Sequence, residues 1–465
     1  MVRDPARQSS TEIDAVINNP AGTAFLNDGW SFSLNGRLAY QTLDISSFDN
    51  HVPNSSRDII PTFLASYKKD NLTFSFSFAN EGGYGKWTFA KEPTLSHVFT
   101  SLNNSLFEGY KSSMSQMADY CNPSDKLSSD VFVDGSLYNY SFRLGVSWKI
   151  SDKWSVYGGI RTNFVTDKTK VYLYQGVEKS EGVMVTPKEY FTKIDDQMKK
   201  NTNKSIEKLK DLTHTLNMDA EIAEISTSLQ ALTDLISNKY QAMANTPSLI
   251  GLVNERTNGW GISPIFGADF QTGAFNFGIR YEPETKIHVN NGKQSYHLPG
   301  IISGGASWQV RRDLKVSVGG SWSYQNKDSW YQDGQNVSFD NESLIFNMGT
   351  TNVDVSHVRK TNGITNSFDC SASLSYSPID RLTISMGYTF VSHDYAYKTI
   401  YLRSLSEREE ADIVSGGFCY KLSDKVQFDF GVSKLFPWKK DYNLNYENIF
   451  NHQLTTMSAG ININL

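Results

Sequence analysis

Long hydrophobic runs are missing from this 465-residue chain. No apolar stretch approaches the ~18 residues of a membrane-spanning helix, so a helical membrane protein is excluded. Cysteine pairs are missing as well: Cys121, Cys370 and Cys419 form no Cys-x-x-Cys and cannot all pair internally. Zinc-ribbon and dithiol redox chemistry therefore drop out. The net charge is −5 with basic residues scattered along the chain, which argues against nucleic acid as a partner. None of the eight histidines stands in a Ser-His-acid or His-Glu-x-x-His arrangement, so no catalytic residue, metal or cofactor is expected. Met1-Val2-Arg3-Asp4 does not begin a secretory leader, and an exported protein would be represented here by its mature form.

Aromatic residues are plentiful instead. There are 24 Tyr, 27 Phe and 9 Trp, yet mean hydropathy is only −0.42. Many aromatics with ordinary hydropathy suit a wall with one apolar and one wet face. The pattern along the chain agrees. In "YNYSFRLGVSWKI", Tyr138, Tyr140, Phe142, Leu144, Val146, Trp148 and Ile150 share one face, opposite Asn139, Ser141, Arg143, Gly145, Ser147 and Lys149. The same period of two organises Leu72–Phe78, Leu314–Tyr324 and Leu382–Phe390. Such alternation means strands that are apolar on one side only.

The connections alternate too. Short polar turns at residues 69–71, 151–153, 271–273, 311–313, 378–380 and 423–425 separate longer loops near 42–57, 84–134, 166–258, 290–297, 329–366, 400–410 and 437–452. Six short turns and seven long loops require about fourteen strands, with both chain ends on the short-turn side. A β-sandwich would use strands of ~5–6 residues, and a solenoid or propeller would need a fixed repeat; neither fits. In hydrocarbon every backbone group must be paired, so the sheet has to close. The expected fold is all-β: a transmembrane antiparallel β-barrel over 29–465. On this reading Val318→Arg should be strongly destabilising and Ser317→Arg tolerated.

One loop changes period. Between Pro187 and about residue 255, Ile206, Leu209, Leu212 and Leu216 recur at helical spacing, followed by Ile222, Ile225, Leu229, Leu232 and Ile236. A helical hairpin is expected there, turning at Asn217-Met218-Asp219, with Leu229, Leu232 and Ile236 as a ligand-capture surface or as the packing of a shielding lid. Inside the barrel, Arg143, Arg161, Asp269, Arg280, Asp369 and Asp429 stand among Ser and Gly. Both signs are interspersed, so pairing across the lumen and with a plug is expected rather than an ion-selective ring.

Residues 1–28 have no strand pattern and precede the first strand, which makes them the plug candidate. Thr11 and Asp14 resemble a capping box for a helix over Glu12–Ile17. Asn19 precedes a proline and leaves the helical region. Asn19, Pro20, Ala21 and Gly22 then form a tight gating turn. On the third strand, Asn80, Glu81, Gly82 and Gly83 interrupt the alternation, which marks a kink or the strand's end.

The stretch "STEIDAVINNPAGTAFLNDGWSFSLN" resembles the N-terminal hatch and first strand of the FadL-type outer-membrane transporters, whose hallmark is an Asn-Pro-Ala turn. Further similarity lies in "KWSVYGGIR", "GIRYEPETKIHV" and "LPGIISGGASWQV". The resemblance implies a monomer in the bacterial outer membrane, in contact with its lipid, that carries hydrophobic molecules such as long-chain fatty acids or aromatic hydrocarbons. It further implies capture by outer loops, a shift of the hatch, and exit through the kinked third strand or into the periplasm. The helical loop and the terminal Leu465 depart from the family pattern. The competing expectation is a surface protein that binds partners through its long loops, with the barrel as an anchor.

Overall fold

The computed structural model describes residues 2–47, 50–91, 119–216, 219–245, 247–289, 296–325, 365–393, 409–438 and 448–465, with short pieces between them. Most of the outer loops expected at 329–366, 400–410 and 437–452 lie outside the described residues, as do Asn217 and Met218 of the hairpin turn.

Fourteen long strands are described: β1 Gly29–Ser47, β2 Asn50–Lys69, β3 Leu72–Phe89, β4 Lys126–Lys149, β5 Trp154–Glu178, β6 Leu249–Thr272 and β7 Phe275–Glu282, which resumes as Thr285–Val289. They continue as β8 Gly300–Arg311, β9 Leu314–Gln325, β10 Thr365–Ile379, β11 Leu382–His393, β12 Glu409–Lys421, β13 Val426–Pro437 and β14 Asn448–Asn464. Each pairs antiparallel with its sequence neighbour, and β1 pairs β14 from Ser31↔Asn464 to Ser47↔Asn448. The sheet is a closed barrel.

Its burial is the reverse of a soluble protein's. Ser141, Ser147 and Asn163 are fully buried, whereas Leu144 is 54 % exposed and Met386 61 %. A ring of apolar side chains pointing outward from a polar interior is stable only against hydrocarbon. Aromatic pairs near the short turns, such as Trp154–Phe270 at 4.5 Å and Phe275–Trp308 at 5.7 Å, form the interfacial girdle. The two-residue turn after β2 uses Asp70 at φ 56°, a conformation Asp tolerates better than most side chains.

Strands β4, β5 and β6 have 24 to 25 residues, far more than the ~9–11 needed to span. This side of the barrel rises above the membrane, so much of the loops expected at 84–134 and 166–258 is strand. It carries the helical hairpin, α2 Pro187–Leu216 and α3 Asp219–Ala244. Strand β6 begins at Leu249, inside the stretch expected to be loop.

Val318 is 51 % exposed on the outer face, and Val318→Arg should cost about 2–4 kcal/mol at mid-membrane. Urea unfolding in lipid vesicles checks this, with Val318→Leu staying near the parent. Ser317 is not the tolerant counterpart expected from its polarity. It is 4 % exposed on the lumen side, where a long cation has no room.

Candidate functional site: the lumen and the break in its wall

The N-terminal segment lies inside the barrel. Helix α1 spans Ala15–Asn18 and is followed by a 3-10 turn, Pro20–Phe25. The expected capping box does not form. Asp14 gives no side-chain cap because Arg7 takes its carboxylate through two bonds, Nε at 2.6 Å and Nη2 at 2.7 Å. A bidentate charged pair outcompetes a single amide donor. The same Arg7 holds the Glu12 carboxyl down at about 2. Asn19 adopts φ −148°, ψ 95° and ends the helix before Pro20.

Wall hydroxyls satisfy the carbonyls of the turn, which would otherwise be buried without donors. Ser147 Oγ donates to Pro20 O at 2.7 Å and Ser155 Oγ to Ala21 O at 2.7 Å. The Asn19 amide donates to Ala268 O at 3.0 Å and to Asp269 at 3.1 Å. Ala21 packs on Tyr157 and Ile265. A Cβ on Gly22 would overlap the Ser10 carbonyl, so only glycine fits there. Farther along, Arg3 Nε pairs with Asp429 at 2.8 Å.

Three inward arginines meet two glutamates beside this segment. Glu282, fully buried, contacts Arg280 Nε at 3.2 Å, Arg143 Nη2 at 3.4 Å and also Arg161 Nη1. Glu81 lies 2.5 Å from Arg143 and 3.7 Å from Arg161. Arg143 and Arg280 each also donate to the Ile17 carbonyl, the first at 2.7 Å, and so clamp the end of α1. Asp369 stands apart, accepting from Ser321.

A cavity of about 720 Å³ lies against this cluster, lined by apolar Ile17, Leu64, Ala79, Leu137, Val165 and Ile301 together with Asn35, Asn139 and Arg37. Arg37 is exposed on the lumen, and among the described residues no hydrogen bond or ion pair engages its guanidinium. It is a cation on the wall of a chamber that the arginine–glutamate cluster also lines.

The cavity reaches a break in the wall. The β2–β3 ladder runs from Lys69↔Leu72 to Thr62↔Ala79 and stops there. The flanking ladders continue, β1–β2 to Ser47↔Asn50 and β3–β4 to Phe89↔Val133. Residues 50–61 of β2 and 80–89 of β3 thus face each other unpaired. The stop coincides with two register shifts on β3, at Asn80/Gly82 and Gly82/Gly85. Asn80 Oδ1 accepts from the Gly82 amide at 3.2 Å, folding the bulge on itself. Thr62, Ala79, Asn80, Glu81 and Gly82 line the cavity at this point, and Gly83 belongs to the same kinked strand. A bulge bends its strand and leaves residues unpaired, so the break follows from local sequence.

By structure, the chain aligns with the toluene transporter TodX of Pseudomonas putida at 11 % identity over 98 % of this chain and 95 % of that one, TM-score 0.56. The fold is that of the FadL-type transporters. A FadL homologue from Pseudomonas aeruginosa gives 12 %, 99 % and 98 %, TM-score 0.55, and the Ralstonia pickettii toluene transporter TbuX gives 13 %, 99 % and 98 %, TM-score 0.52. By sequence, no family model and no curated protein matches. The barrel is thus of the bacterial outer-membrane type, and at such low identity the likeness to FadL-type proteins resides in the fold.

The expected capture residues are not together. Ile236 packs into the core between α2 and α3 with Tyr190, Ile194, Met198 and Tyr240. Leu229 is half-buried, and Leu232 is 52 % exposed on the outside of the hairpin. None of the three lines the lumen cavity. Helical spacing places residues on a stripe, but which part of the stripe meets a partner helix depends on the crossing. Arg37 and Glu282 were missed because each is a single charge in an alternating strand, with no local mark distinguishing it from a solvated wall residue.

Proposed function

We propose that the chain carries hydrophobic small molecules across the outer membrane, and that its solutes include fatty acid-like amphiphiles with an anionic head. The exposed apolar side chains of the hairpin, Ile225, Leu232 and Leu235, supply first capture. The N-terminal segment 1–28 acts as the hatch, and the gap between β2 and β3 is the lateral exit. One observation carries the reading: a chamber closed below by the clamped N-terminal segment runs to the place where the β2–β3 ladder stops while both flanking ladders continue. Solute enters from the outer side, rests in the chamber with its head at Arg37, and leaves into the membrane without crossing water. The reading needs one chain and no cofactor.

Protein purified in mild detergent should release such amphiphiles, identified by mass spectrometry, and cells expressing it should take up labelled oleate. Deleting residues 2–25 should change the uptake rate several-fold. An extract no richer than that of an unrelated barrel, with oleate and toluene uptake at vector level, would falsify the reading. Uptake of toluene alone would leave a channel for neutral hydrocarbons.

A further inference from the structure

One side chain crosses the break between β2 and β3. Asp58 stands on β2 four residues beyond the last rung, in step with Thr62 and Leu64, which line the lumen cavity. Tyr138 stands on β4 in step with Phe142 and Leu144, which are exposed on the lipid face. Even so, the Tyr138 hydroxyl donates to Asp58 Oδ1 at 3.0 Å. A bond joining a residue of the lumen series to one of the lipid series passes through the wall.

The passage exists because the strand between them is notched. Gly85 of β3 pairs with Leu137, the residue before Tyr138, and has φ +73°. That conformation suits glycine and few other residues. A Cβ there would overlap the second carboxylate oxygen of Asp58, which is buried in the notch with no hydrogen-bond partner among the described residues. Backbone pairing cannot tie β2 to β3 at this level, and the side chain ties β2 to β4 instead.

From this we infer that Asp58 and Tyr138 are the latch of the lateral opening, Gly85 being the notch that seats it. The inference rests on the proposed transport role for its consequence, but the latch itself is a property of the wall. The alkyl chain of a transported solute offers the phenol no acceptor and the carboxylate no donor. It can pass only when the bond is open, so latch release sets part of the exit barrier. Asp58 also places a carboxylate in the gap beside Gly85, so the resting gap disfavours apolar groups until β2 swings away.

Two measurements separate the latch from the transport reading. In a Cys370→Ser background, spin labels at Ile59→Cys on β2 and Ile160→Cys on β5, both lipid-facing, report the width of the opening without any solute. Tyr138→Phe and Asp58→Ala should broaden the distance distribution towards longer values, and distributions identical to the parent's would overturn the latch. The second measurement is labelled-oleate uptake. Tyr138→Phe should accelerate it by on the order of tenfold, as loss of a hydrogen bond to a charged group implies. Asp58→Cys/Tyr138→Cys bridged by a short reducible bis-thiosulfonate should stop uptake until reductant is added. Undiminished uptake through the bridged protein would overturn the latch as a gate while leaving transport standing. Absence of uptake by the parent would overturn transport, leaving the spin-label distances to decide the latch alone.

Discussion

Replacing Glu282 with Ala should destabilise the barrel by about 3–5 kcal/mol, the range expected when a buried ionic network loses one partner. Glu282 is fully buried and lies within ion-pair distance of Arg143, Arg161 and Arg280. Without it Arg143 and Arg161 keep only Glu81, Arg280 loses its ion pair with Glu282, and the cluster's net charge rises from one to two positive. Removing a cation together with the anion, in Arg161→Leu/Glu282→Leu, should recover much of the loss because charge balance is restored with apolar packing. The comparison is made by urea unfolding in vesicles, followed by the fluorescence of the nine tryptophans. Because Arg143 and Arg280 also hold the Ile17 carbonyl, the single variant should expose the N-terminal segment to protease where the parent resists. A change below 1 kcal/mol with unchanged protease resistance would mean that the cluster is solvated rather than a clamp.

Arg37→Ala should separate acids from hydrocarbons. The guanidinium lines the cavity with no ion pair among the described residues, so a carboxylate head can engage it without first breaking one of those. A hydrogen bond to a charged group contributes about 1.5–3 kcal/mol, or roughly a 10–100-fold loss of apparent affinity for oleate. Toluene uptake should be unaffected, since a neutral ring gains nothing from the charge. Arg37→Lys should keep part of the acid preference as a point charge without the planar fork. An equal loss for both solutes would assign Arg37 to structure, and no loss for either would remove the head group from the reading.

Much of the architecture is legible in single strands. Phe142, Leu144 and Trp148 against Ser141, Arg143 and Ser147 state a two-faced wall without reference to any other strand. Asn19 before Pro20 ends a helix by steric exclusion, and the structure shows that end. Where the reading falls short, a longer-range contact intervened. Asp14 was expected to support a cap locally but answers Arg7. Leu229, Leu232 and Ile236 share a helical stripe, yet the crossing with α2 buries one and leaves another outside.

The two-faced closed barrel and its short-turn and long-loop sides follow from the sequence alone, which also marks residues 1–28 as lacking a strand pattern and Asn80–Gly83 as a kink or a strand end. Each is written in neighbouring residues: period two, turn composition, proline and glycine. Only the tertiary structure decided which charges meet. Asn19 reaches Asp269 across 250 positions and Arg3 reaches Asp429 across 426. It also decided that the β2–β3 ladder ends at Thr62↔Ala79 and that Asp58 passes through the gap to Tyr138. Those outcomes depend on strand register, and a shift of one residue would turn every inward group outward. Register is a relation between strands, so no one strand's pattern contains it.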